Sequence, residues 1–92
     1  MRERDIERQL VKRVKAAGGD VRKLAWIGRR GAPDRLVMLP GRFLLVELKA
    51  PGGRISRLQD VEHRRLRAAG FDVRVIWKVE DIDEVIGTEA RP

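Results

Sequence analysis

The chain has 92 residues, 42% hydrophobic and without cysteine, which leaves room for one compact domain (1–92) and excludes disulfides, thiolate zinc sites and cysteine nucleophiles. Its net charge is +7, and residues 1–79 carry 20 basic groups against 9 acids; 16 of the 21 basic residues are arginines, whose planar fork suits phosphate, so a nucleic-acid partner fits best. Four aromatics are too few for a platform that stacks single-stranded bases, and no apolar run approaches the ~18 residues of a membrane span, so a cytoplasmic protein is expected.

In chain order, residues 3–18 predict a helix. Ile6, Leu10, Val14 and Ala17, with Val11 beside them, form an apolar stripe at helical spacing, and Gly18-Gly19 stops it. Val21–Ile27 reads as a strand, and Gly28–Pro33 as a loop. Arg35–Leu39 and Arg42–Lys49 read as strands joined by a Pro40-Gly41 hairpin. After a glycine-bearing loop, Ala50–Ile55, Ser56–Ala69 predicts a second helix with Leu58, Val61, Leu66 and Ala69 inward. Phe71–Lys78 is a fourth strand, and Asp81–Ile86 a short last helix with Asp81 and Glu84 spaced as a capping box. Ile82, Val85 and Ile86 of that helix share a face that suits the sheet of its own subunit or a partner. The order α-β-β-β-α-β-α implies an α/β fold, a mixed sheet of about four strands flanked by helices. The first three strands should be antiparallel, and the fourth can return parallel after its helix.

Phe43–Lys49 is an apolar strand that ends in two charges. Strand alternation puts Glu47 and Lys49 on one face, and a lone acid there would be unfavourable unless a lysine or a metal ion compensated it. A turn centred between Pro40 and Gly41 pairs residues whose numbers sum to 81, so Asp34 should lie opposite Glu47. Cross-strand partners stand about 4.5–5.5 Å apart at Cβ, close enough for two carboxylates to hold one cation. Glu7, inside the apolar stripe of the first helix, is either a dipole-favoured glutamate that reaches water or a third acid of the same site. All three are hard oxygen ligands, suited to Mg²⁺ or Mn²⁺ rather than zinc.

The ordered set Glu7, Gly31-Ala32-Pro33-Asp34, Glu47-Leu48-Lys49, Ser56 and Gln59 resembles the PD-(D/E)xK nuclease superfamily, and within it the VRR-Nuc branch, over residues 3 to 79. The resemblance implies a restriction-endonuclease-like core and a metal-dependent DNA phosphodiesterase. Its Mg²⁺ or Mn²⁺ would be held by Glu7, Asp34, Glu47 and the Leu48 carbonyl. Lys49 would orient the attacking water or stabilise developing charge, and Gln59 would position Lys49 or that water. Standalone domains of this branch resemble homodimeric endonucleases acting on four-way DNA junctions. A non-catalytic nucleic-acid-binding module, or a restriction or recombination nuclease of the same superfamily, is the rival reading.

Other residues carry weaker signals. Gln59 can also close a Ser56–Gln59 capping box. His63 is expected at the surface or the rim of the site, and Trp26 and Trp77 in the core. Arg29, Arg30, Arg35, Arg54 and Arg57 cluster around the proposed site and suit phosphate contact.

Overall fold

The computed structural model describes residues 1–87; Glu89 and Arg91, at the end of the charge pattern, lie outside the described residues. The first helix, α1 (Glu3–Ala16), buries Ile6, Leu10 and Val14 completely. Its first turn is closed by Asp5, which accepts the Arg2 N–H at 2.9 Å. It ends two residues before the predicted stop. Gly19 then passes so close to the sheet that an added Cβ would lie 2.0 Å from the Met38 carbonyl oxygen.

Strand β1 (Asp20–Lys23) is shorter than the predicted Val21–Ile27. Leu24 still donates its N–H to the Asp34 carbonyl at 2.9 Å, but beyond it the chain leaves the sheet. Trp26 folds back to donate its indole N–H to the Pro33 carbonyl at 2.7 Å, and Ile27 is fully exposed. A tertiary contact of one aromatic thus overrides the strand propensity of the run.

Strands β2 (Arg35–Leu39) and β3 (Arg42–Leu48) form the predicted hairpin. The pairs run from Arg35 with Val46 to Leu39 with Arg42, which is the sum-81 register. After α2 (Arg57–Ala68), strand β4 (Val73–Ile76) lies parallel to β3. The four strands lie in the order β1-β2-β3-β4, antiparallel except for the last pair.

Alternation along β3 sorts the layers. Leu44, Val46 and Leu48 join Val37 and Ile76 under α1 and the last helix, α3 (Val79–Ile86), whose Ile82, Val85 and Ile86 are all buried in that core. The apolar face of α3 therefore covers its own sheet. On the opposite face Leu45, Leu66 and Val73, with Leu24, Trp26 and Leu36 against them, make a smaller core beneath α2.

The orientation of α2 differs from expectation. Leu58 and Val61 are 55% and 37% exposed, and Ala69 is exposed too; Glu62, His63 and Leu66 are the residues turned inward. Only Leu66 has an apolar core to meet, because β3 presents Glu47 below the first half of the helix. Polar side chains face that acid, and the helix is rotated accordingly.

Helix α3 starts two residues earlier than predicted. Asp81 sits in the third helical position, where it accepts the N–H groups of Trp77 (3.0 Å) and Lys78 (3.2 Å), instead of forming a cap with Glu84. With no basic residue in its last turn, α3 is closed from outside, by the Arg42 guanidinium on the Val85 carbonyl at 2.8 Å. Trp26 is partly buried as predicted, but Trp77 is 37% exposed, because its indole N–H turns outward to the Gly53 carbonyl.

Candidate active site

Glu47 is the centre of the site. It is the penultimate residue of β3, 9% exposed, and faces α2 beside the small core. Gln59 donates Nε2 to its Oε2 at 3.2 Å. The other end of the same amide accepts the Ser56 N–H at 2.9 Å, while the Ser56 hydroxyl accepts the Gln59 N–H at 3.1 Å. Gln59 therefore completes the capping box and holds Glu47 with the two ends of one side chain. Both roles offered by the sequence coexist, and the Ser56 contact fixes which way the amide points.

The Glu47 carboxyl is pushed up to about 7, first by burial and then by the charge of Asp34, with Lys49 and Arg35 opposing and Glu3 adding to the rise. Asp34 precedes the first ladder pair of β2 and β3, which sets it across from Glu47 and close enough for its charge to act there. Its backbone carbonyl accepts the Leu24 N–H, and its partly exposed carboxylate is held by Arg35. Two carboxylates near each other, one of them desolvated, raise the free energy of their shared ionised form.

Arg35 occupies a different place from the one expected. It is buried, and its guanidinium bridges two acids, with Nε to Glu7 at 2.7 Å and Nη1 to Asp34 at 2.5 Å. Burial works against its charge, but the hydrogen bonds to Glu7 and Asp34 outweigh that and raise its pKa above the usual guanidinium range. Arg35 is thus an internal cation of the site, unlike Arg29, Arg30, Arg54 and Arg57, which are exposed around it. Glu7 reaches the sheet from α1, takes the Arg35 ion pair, and has Lys23 at 4.0 Å.

Lys49 follows β3 at the site's edge, its N–H on the Ile76 carbonyl at 2.9 Å. His63, expected at the surface or the rim of the site, is 2% exposed instead, with Nε2 4.0 Å from Glu47 Oε1. Burial, and then the Arg67 charge, lowers its pKa. The spacing of Gln59 and His63, one helical turn apart on the face of α2 that meets Glu47, was the signal in the sequence for this pair.

No family model matches the chain. A protein called "Putative nuclease p44", from Acyrthosiphon pisum secondary endosymbiont phage 1, is 42% identical over 87 residues, covering 94% of this chain and 92% of that protein. A solved structure described as a VRR_NUC domain superposes with a TM-score of 0.84 at 38% identity, over 94% of this chain and 95% of that one. The chain belongs to the VRR-Nuc family of nucleases.

Within this VRR-Nuc fold, the donors fit a hard divalent cation in chemistry. Asp34 and Glu47 are neighbouring oxygen donors whose mutual repulsion a cation would relieve. Among the described residues no three acid or imidazole groups are gathered closely enough to hold a metal ion; Glu7 is drawn aside to Arg35. The structure also holds no helix long and apolar enough to cross a membrane among those residues.

Proposed function

We propose that the protein is a Mg²⁺- or Mn²⁺-dependent endodeoxyribonuclease that acts as a homodimer on branched DNA such as four-way junctions. The observation that carries this reading is the Asp34–Glu47 carboxylate pair beside Lys49, with the Glu47 carboxyl raised by burial and by the charge across from it. Asp34, Glu47 and the Leu48 carbonyl would hold the cation, and Glu7 would join them on release from Arg35. When bound, the metal supplies an acidified water and neutralises charge on the phosphate under attack.

The chain's own residues divide the remaining work. Gln59 keeps the Glu47 carboxylate in one orientation. Lys49, whose charge acts on Glu47, orients the attacking water or steadies charge on the phosphate oxygens. Arg35 holds Asp34 and Glu7 by ion pairs until the cation arrives. Exposed Arg29, Arg30, Arg54 and Arg57 bind flanking phosphates by charge-assisted hydrogen bonds. Along α1, Arg4, Arg8 and Lys12 line a shallow groove of about 390 Å³ together with Glu7. Like charges four residues apart destabilise an isolated helix, so this ridge suits an anionic strand running past Glu7.

The test is cleavage of a panel of duplex, flap, single strand and four-way junction, with Mg²⁺ and with EDTA. The junction should be cut fastest and only with the metal. Cleavage in EDTA would defeat the metal-dependent reading, and equal rates on all substrates the branched-DNA one.

A further inference from the structure

His63 is almost wholly buried, and among the described residues its Nε2 is the buried side-chain nitrogen without a hydrogen-bond partner. A polar nitrogen withdrawn from water and left unpaired is unfavourable, so the working state of the site should provide a partner. What faces it is Glu47 Oε1, at 4.0 Å, too long for a hydrogen bond and short enough for a small rotation to make one. The other oxygen of that carboxylate is already taken by Gln59. Gln59 and His63 therefore approach the two oxygens of one acid from a single face of α2.

The charged groups around His63 are Arg67, Asp60 and Glu62 on its own helix and Lys49 just past the end of β3. Nε2 is the ring nitrogen that faces Glu47 Oε1, so it is the one that must carry the hydrogen for that bond to form. We infer that His63, as the tautomer with hydrogen on Nε2, is a positioning residue that fixes the second oxygen of Glu47, so that this carboxylate meets the cation in one orientation. The inference rests on the metal-dependent reading above and adds to it a second anchor behind the ligand. Such outer partners commonly change metal affinity by about 10–100-fold.

Two substitutions separate positioning from packing. His63→Gln places an amide N–H near the original Nε2, whereas His63→Asn ends near Nδ1 and cannot reach Glu47. Mn²⁺ affinity of the full chain, measured by isothermal titration calorimetry without DNA, should fall about 10–100-fold in His63→Asn and stay near wild type in His63→Gln. Raised Mn²⁺ should restore the cleavage rate of His63→Asn, with KM for DNA unchanged. The melting temperature without metal should not track these differences.

Equal Mn²⁺ affinity in wild type and both variants would overturn the positioning role, even if His63→Asn were less stable. A wild-type chain that cuts DNA in EDTA and binds no Mn²⁺ would overturn the metal-dependent reading, and the role of His63 with it. If His63→Asn fails to fold, the parent chain decides: its His63 Nε2–H resonance should shift when Mg²⁺ is added, and an unshifted resonance would overturn the role.

Discussion

Lys49, just past the end of β3, and Glu47 should fail differently when replaced. Lys49→Ala removes a cation that neither closes the core nor carries an ion pair within 4.0 Å among the described residues, so folding and DNA binding should persist. Cleavage should fall by at least about 100-fold, and activity within a few-fold of wild type would make Lys49 structural. Glu47 should instead be visible in stability. Its carboxyl titrates near 4.5 when unfolded and about 7 when folded, so the folded state holds the proton more tightly. The stabilisation from that proton is complete below about 4.5 and is lost as pH rises through 7. His63 shifts in the opposite direction, which makes the comparison with Glu47→Gln necessary. Without divalent cations, the melting temperature of wild type relative to Glu47→Gln should drop by roughly 10 °C or more between pH 4.5 and pH 8. A difference independent of pH would mean that Glu47 is not held against its charge. Mg²⁺ at pH 8 should return the lost stability to wild type and give Glu47→Gln much less.

At the scale of elements, the site depends on how closely the loop before β2 packs on α2. Gly31 has φ +82°, and a Cβ there would lie 2.6 Å from the Leu58 carbonyl oxygen and 2.8 Å from the Gln59 nitrogen. Gly31→Ala must both strain the backbone and push the start of α2 off the sheet, withdrawing Gln59 from Glu47. The expected loss is about 2–3 kcal/mol, or roughly 10 °C in melting temperature, together with most of the cleavage activity. A melting curve within about 2 °C of wild type would show that the loop and helix can separate freely. The sequence made the β2–β3 register legible, because a short turn and a period of two leave few pairings, and with it the facing of Asp34 and Glu47. The rotation of α2 was not legible. Its apolar residues, Leu58, Val61, Leu66 and Ala69, suggest a stripe, but the sheet beneath offers a carboxylate where Leu58 would have to go. Arg35 was misread for a related reason. Among sixteen arginines its sequence neighbourhood looks like the others, and only the fold brings Glu7, 28 residues away, onto its Nε.

At the scale of the molecule, charge and shape set the terms of binding. If four to six phosphates are held by Arg29, Arg30, Arg54, Arg57 and the ridge of α1, log K should fall against log salt with a slope of roughly −4 to −5. A nearly flat dependence would favour a protein partner over DNA. Dimerisation is a separate question, and the fold removes one candidate surface, since Ile82, Val85 and Ile86 are spent on the core of their own chain. What stays open lies elsewhere. Phe43 and Phe71 are 53% and 42% exposed, with ring centroids 6.5 Å apart at the hairpin end of the sheet, and Leu58 and Val61 are exposed on α2. A two-fold interface on either patch would bury apolar surface that a chain of this length cannot cover by itself, and would set two identical sites on two strands of one junction. Multi-angle light scattering at micromolar concentration should give twice the chain mass, with and without a four-way junction. Phe43→Ser with Phe71→Ser, and Leu58→Ser with Val61→Ser, should show which patch holds the pair: one double variant should become monomeric and lose junction cleavage, while the other stays dimeric and active. A monomeric wild type in both samples, or plain duplex cut as fast as the junction, would end the dimer model and leave the nuclease assignment intact.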